Sequence, residues 1–383
     1  MGPPTYGSDK VRPPQRRRSQ AHGDAGTDPN QTAYTESAMS RAATNLRLVS
    51  RLAGTRLRGR AHTLSHLVTG RCNGRCPTCL WRDPERRELD TASVNWLYAE
   101  AGRAGMAQLV VWGGEPLLRQ DLPELLFAAR GAGLAITLIS NGWLLEERWP
   151  ELRGLVNSLV LSLDDVGAAH DRLRGLPGLF DRLESAIAKL RRDSQRPMLL
   201  VNTVLSQYNR GALARVAPVA RRWDAGLYFC PMETGEMQSS GYVARHPDMA
   251  LPAQELRNAA LQATALKRAG YPIRNTQAYL NLLARDPQLH GYTCRMPRSL
   301  LTVEADGAIR DCLRTDRPLA SVSGLHADGQ PLASVYSLPR YRELRIDAAT
   351  CTKCNNPDVI ELSWLWDLRP AMLRTVAELA VRH

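Results

Sequence analysis

From residue 61 onward six short apolar runs alternate with helical patterns, and this alternation limits the folds open to the chain. The runs are His62–Val68, Gln108–Trp112, Ala135–Ile139, Ser158–Leu163, Met198–Val204 and Gly226–Cys230. Between them lie stretches of helical period such as "TASVNWLYAEAGRAG", "LPELLFAARGAG" and "FDRLESAIAKLRRD". Short buried strands joined through helices are parallel βαβ units. Six such units predict an α/β fold, a partial (β/α)6 TIM-like barrel over residues 61–250. Its chemistry is expected where the strands end and the βα loops begin.

After residue 250 the pattern changes. A helix, "PAQELRNAALQATALKRAG", leads to a hairpin, "SLLTVEADGAIRDCL", with Asp306-Gly307 at its turn. A cysteine pair, "CTKC", and a terminal helical pattern, "DVIELSWLWDLRPAMLRTVAELAVRH", follow. Residues 251–383 are expected to form a small α+β cysteine-rich domain whose last helix packs on the barrel. A membrane-surface contact is the alternative for its aromatic residues.

No run approaches the roughly 20 apolar residues of a membrane span. The first 30 residues lack the apolar core of a signal peptide. The expected location is therefore the cytoplasm, where eight cysteines read as metal ligands or reactive thiols. The net charge is +12, and residues 1–60 hold eleven Lys/Arg against four Asp/Glu. This extension reads as basic and largely disordered, although residues 38–60 could form a basic amphipathic helix. Aromatic residues are not interleaved with its charges, so no nucleic-acid partner is expected.

The stretch "VTGRCNGRCPTCLW" places Cys72, Cys76 and Cys79 in a C-x3-C-x2-C run directly after the first strand. Iron–sulfur clusters and structural zinc both usually take four protein ligands. The next cysteine is Cys230, so three thiolates read as an open site. At the next strand end stands Gly113-Gly114-Glu115-Pro116. Ser140 and Asn141 close the third strand, and Ser162 and Asp164 close the fourth, where strand-end capping is the plainer role. Asn202 is a weaker candidate on the fifth strand.

These motifs, in register with the βα units, resemble the radical SAM superfamily. The resemblance implies a 4Fe–4S cluster on Cys72, Cys76 and Cys79, whose remaining iron takes S-adenosylmethionine (SAM). It also implies a reducing partner such as flavodoxin or ferredoxin. Gly113–Pro116 would hold the methionine amino group, and Ser140, Asn141, Ser162 and Asp164 would meet the ribose and carboxylate. The position before the last cysteine is usually aromatic, and here it is Thr78; Trp81 is the substitute for adenine packing.

Cys294, Cys312, Cys351 and Cys354 follow as C-x17-C-x38-C-x2-C. Four thiolates suit one auxiliary 4Fe–4S cluster or structural zinc. Beside this barrel they resemble the twitch domain, a short relative of the SPASM domain. The layout is similar to enzymes acting on sugars and aminocyclitols, which implies a polar small-molecule substrate. Cys230, in "GLYFCPMETGE", closes the sixth strand and is either an inert buried thiol or the hydrogen donor of an epimerase. Epimerisation is the expected reaction. Dehydrogenation with Glu233 or Glu236 as base, and peptide modification, are the alternatives. A two-zinc binding protein is the competitor outside enzymes. His170, His246 and His290 are expected to face solvent.

Overall fold

The computed structural model describes residues 49–232, 247–288, 291–310, 312, 318–351, 354, 356–370 and 372. Glu233, Glu236, His246 and His290 lie outside them, as do residues 1–48 of the extension and most of the residues beyond 370. Residues 49–57 form helix α1. The Arg51 guanidinium donates to the carbonyls of Met106, Ala132 and Gly133, at 2.8–3.0 Å. The basic helix thereby covers carbonyls left over where two later helices end.

Six parallel strands follow: β1 (Thr63–Thr69), β2 (Gln108–Gly113), β3 (Ala135–Ser140), β4 (Ser158–Ser162), β5 (Met198–Leu205) and β6 (Gly226–Pro231). Helices α2 (Thr91–Arg103), α3 (Leu122–Gly131), α4 (Leu145–Leu152), α5 (Gly167–Arg174), α6 (Leu179–Leu190) and α7 (Ala212–Arg222) run between them. The strands pair in sequence order from β1 to β6. This is the partial (β/α)6 barrel.

Strand alternation divides its two faces. Leu64, Leu109, Ile136, Leu159, Val201 and Leu227 point outward and are fully buried under the helices. Each such side chain contributes about 2 kcal/mol relative to exposure. The inward set, including Trp112, Thr137, Ser162, Asn202, Tyr228 and Cys230, is only half-buried. The incomplete ring leaves its lumen open.

The chain continues through α8 (Ala253–Arg268), α9 (Gln277–Arg285), α10 (Met296–Ser299), α11 (Val322–Ala327), α12 (Pro339–Thr350) and α13 (Pro357–Trp366). Strand β7 (Leu300–Val303) forms the expected hairpin with β8 (Ala308–Arg310), pairing Val303 with Ile309. A short β9 (Ala320–Ser321) borders β8. Local sequence did not reveal that β7 also pairs with β1 in parallel, Ser65 opposite Thr302. The cysteine-bearing hairpin therefore extends the barrel sheet.

Two expectations need correction. His170 is fully buried and does not face solvent. Its Nδ1 accepts the Asp164 backbone N–H at 3.2 Å, and burial lowers its pKa to about 3. The terminal helical pattern is interrupted: α13 ends at Trp366, Leu368 has a φ of 53°, and helical geometry returns at Pro370 and Met372. Pro370 supplies no N–H to continue the helix and disfavours helical geometry at the residue before it. Trp364 packs into the core, 3% exposed.

Candidate functional site

The cysteine loop leaves the end of β1 and is tied to the end of β2 through backbone bonds. Gly114 N donates to Thr69 O at 2.7 Å, and Glu115 N donates to Arg71 O at 2.8 Å. The two glycines permit this approach. Gly113 has a φ of 142°, and a Cβ on Gly114 would lie 2.2 Å from the Arg71 carbonyl oxygen. The GGEP motif is thus fastened beneath the loop that carries Cys72, Cys76 and Cys79.

Glu115 is fully buried. Its Oε1 accepts from Leu117 N at 3.0 Å and Ser140 Oγ at 2.8 Å, while Oε2 accepts from Asn141 N at 2.7 Å. Burial pushes its carboxyl upward, against the pull of these donors. The carboxylate joins the ends of β2 and β3, and its oxygens serve donors of this chain. Asn141 Nδ2 then reaches the cysteine loop, donating to Asn73 Oδ1 at 2.8 Å, with Cys72 Sγ 3.9 Å away.

At the fourth strand end the Asp164 carboxylate forms an ion pair with Arg174 at 2.8 Å and accepts from Val204 N at 2.9 Å. Arg174, the last residue of α5, also places Nη1 3.8 Å from Cys76 Sγ. Its carbonyl accepts Arg75 N at 2.8 Å. A guanidinium at this point offsets the negative charge that thiolates carry when they ligate metal. No short-range motif announced Arg174, because its partners lie 10 and 98 residues away. Ser162 is half-buried on the lumen face of β4.

Trp81 meets Trp112 edge to face, ring centroids 4.9 Å apart, and Trp112 Nε1 donates to Ser65 Oγ at 2.7 Å. Thr78 is half-buried in the turn beside Cys79. Cys230 lies on the lumen face of β6, its sulfur 3.9 Å from the Asn202 side-chain amide.

Among the described residues, no three Cys, His, Asp or Glu side chains already stand in metal-binding geometry. The donor chemistry nevertheless fits a cluster. The thiols of Cys76 and Cys79 lie close enough to help raise the Cys72 pKa to about 11, with burial the larger cause. In the C-terminal part, burial first, then Cys354, Cys294 and Cys351, push the Tyr292 phenol upward. The Tyr292 hydroxyl donates to Cys354 O at 3.3 Å. Three of the four C-terminal cysteines therefore lie near enough to one buried tyrosine to act on its phenol.

The described residues thus form an open parallel barrel with a three-cysteine loop at its strand ends, braced by a glycine-rich turn. Residues 67–213 match the family model described as the Radical SAM superfamily. The chain accordingly carries a radical SAM domain, and this family uses a 4Fe–4S cluster and SAM. Among curated proteins it is similar to the PqqA peptide cyclase of Gluconobacter oxydans, 33% identical over 210 residues. That match covers 53% of this chain and 56% of the relative. It is also 32% identical to the AdoMet-dependent heme synthase of Methanosarcina barkeri, over 46% of this chain and 52% of that protein. The chain thus spans about half the length of the curated relatives it matches.

Among solved structures, Streptococcus suis SuiB bound to precursor peptide SuiA superposes with a TM-score of 0.60 at 15% identity. The match covers 88% of this chain and 79% of that one. anSMEcpe with AdoMet and the Cp18Cys peptide gives 0.57 at 14% identity, over 82% and 98%. These likenesses show a shared fold. The small-molecule substrate expected from the sequence receives no support from these matches.

Proposed function

We propose that this chain is a radical SAM enzyme that modifies a ribosomally made peptide. The observation that carries the reading is its similarity, at 30–33% identity, to proteins named PqqA peptide cyclase. The half-buried state of the lumen-facing Trp112, Ser162, Asn202, Tyr228 and Cys230 supports it, because these side chains stay within reach of a segment of substrate.

In this reading Cys72, Cys76 and Cys79 would hold a 4Fe–4S cluster, and Cys294, Cys312, Cys351 and Cys354 would hold one auxiliary cluster. With both groups bound, the first cluster and SAM supply one-electron cleavage of the sulfonium and a radical that abstracts hydrogen. Gly113, Gly114 and Pro116 shape the floor of the SAM site. Glu115 acts through Ser140 and Asn141, while Arg174 and Asp164 keep α5 against the cysteine loop. Trp81 and Trp112 supply an apolar wall for the adenine, and Ser162 offers a hydroxyl on the lumen side.

The placement of Cys230 favours a second reading of the reaction. A lumen thiol can return hydrogen to a substrate radical, which makes the outcome an epimerised peptide residue. An oxidative cyclisation instead forms its new bond with net loss of two hydrogens, one abstracted as an atom and the other leaving as a proton and an electron. A cluster on the four C-terminal cysteines would supply an acceptor for that electron.

The test is anaerobic reconstitution followed by SAM, a reductant and the precursor peptide encoded nearest to the gene. A peptide-dependent rise in 5′-deoxyadenosine with an altered peptide supports the proposal. Loss of two hydrogens marks cyclisation, and uptake of one solvent deuterium without oxidation marks epimerisation. Turnover with aminocyclitols or sugars, and none with peptides, overturns it.

A further inference from the structure

The outer edge of β6 is closed by a second stretch of chain. Leu227 N donates to Pro272 O at 2.8 Å, and Arg274 N donates to Leu227 O at 2.8 Å. The fully buried Asn275 side chain stands in for the next peptide group. Its Oδ1 accepts Phe229 N at 3.0 Å, and its Nδ2 donates to Phe229 O at 2.9 Å. The outward backbone groups of Leu227 and Phe229 are therefore taken. A peptide on this side of the barrel cannot pair with them as an added strand and meets the side chains of the lumen face instead.

Tyr228 lies between these two fastened residues. Leu227 and Phe229 point outward and are fully buried, so strand alternation turns Tyr228 inward. In register with it stand Asn202 on β5 and, beyond that, Ser162 on β4. All three are half-buried. One row of polar side chains thus crosses three neighbouring strands spaced about 4.8 Å apart. Cys230 lies one pleat repeat further along the same face of β6, roughly 6.6 Å on.

The Tyr228 hydroxyl has no hydrogen-bond partner among the described residues. Burial first, then the Glu361 and Asp358 carboxylates, push the phenol upward against the opposing pull of Arg274. It therefore stays protonated at neutral pH and is a donor. A half-buried donor without an internal acceptor, held on a rigid strand, is complementary to an acceptor that a bound molecule brings.

We propose that Tyr228 is a substrate-contact residue whose hydroxyl donates to a backbone carbonyl of the bound peptide, holding that segment on the lumen face beside Cys230. The contact reads the main chain and not a particular side chain. This inference rests on the peptide reading given above.

The test is peptide kinetics on the full chain reconstituted anaerobically. The probes are the precursor peptide encoded nearest to the gene and a series in which single backbone amides are replaced by esters, whose carbonyls are weaker acceptors. Tyr228→Phe removes the hydroxyl alone and is expected to raise the peptide KM about three- to tenfold, the worth of one neutral hydrogen bond. Iron content checks that the variant loads. In the wild type one ester position is expected to weaken the peptide, and in Tyr228→Phe that position is expected to lose its penalty. A merely structural hydroxyl would weaken every peptide equally and leave the ester penalties in place. An unchanged KM, or no ester position whose penalty the variant loses, overturns the contact alone. A wild-type chain that turns over sugars or aminocyclitols and no peptide overturns the peptide reading, and the contact with it.

Discussion

The Glu115 carboxylate accepts the backbone N–H of Asn141 at 2.7 Å, so one side chain of the GGEP turn fastens the end of β2 to the end of β3. Asn141 in turn reaches Asn73 between the first two cysteines. The GGEP turn and the cysteine loop are therefore one hydrogen-bonded unit. Glu115→Gln should leave the Asn141 or Leu117 N–H facing an amide donor. An unmet buried donor costs about 1–3 kcal/mol. The expected outcome is that loss in urea denaturation, accompanied by weaker SAM binding in equilibrium dialysis.

Replacing Cys72, Cys76 and Cys79 together by alanine should remove one four-iron cluster and spare the other. Iron should fall from about eight per chain to about four, with SAM cleavage abolished. Iron and sulfide assay of the reconstituted proteins checks this, and unchanged iron would refute the assignment.

Arg174 and Asp164 form a buried ion pair at 2.8 Å beside Cys76. Removing one member of such a pair costs about 3–5 kcal/mol, because the other is left as an uncompensated charge. Arg174→Met should therefore destabilise the chain more than Arg174→Met combined with Asp164→Asn. Chemical denaturation of the single and double variants measures that coupling.

Glu361 gives stability a pH dependence. Burial raises its pKa from 4.5 to about 7, and its Oε1 accepts Thr276 N at 2.7 Å. A carboxyl that binds its proton more tightly when folded stabilises the fold below its unfolded pKa. That contribution disappears as pH rises from about 4.5 through about 7, a loss on the order of 3 kcal/mol. Glu361→Gln keeps the acceptor oxygen and should flatten the dependence. Denaturation midpoints across this range provide the measurement, and a wild-type profile matching that of the variant would refute the account.

Cys230 faces the lumen beside Asn202. If the reaction is epimerisation, Cys230→Ala should still form 5′-deoxyadenosine yet place no solvent deuterium in the peptide. Deuterium uptake equal to wild type would remove the thiol from the mechanism.

The barrel was legible because alternating apolar runs report burial locally. Each predicted strand lies within a residue or two of an observed one, since a strand buried beneath helices needs a continuous apolar segment. The hairpin was legible for a similar reason, its Asp306-Gly307 turn being a short-range signal. His170 was misjudged because its neighbours in sequence are polar, whereas its neighbours in space are the end of β4 and the body of α5. The break after Trp366 was missed because apolar periodicity runs on through it, whereas Pro370 ends one helix before it and can only begin the next.

The amino-acid sequence by itself determined the βα units, the two cysteine groups and the position of GGEP at a strand end. Each of these depends on residue type and spacing along the chain. Tertiary structure alone decided that Glu115 spends its carboxylate on β3, that Arg174 stands over Cys76, and that Glu304 draws Arg86 and Arg310 together. Glu115 and Asn141 lie 26 residues apart, Arg174 and Cys76 98, and Arg86 and Glu304 218, while Arg310 reaches Glu304 across the hairpin. Such meetings follow from strand pairing and burial, which bring distant residues together and require each buried charge to find a partner.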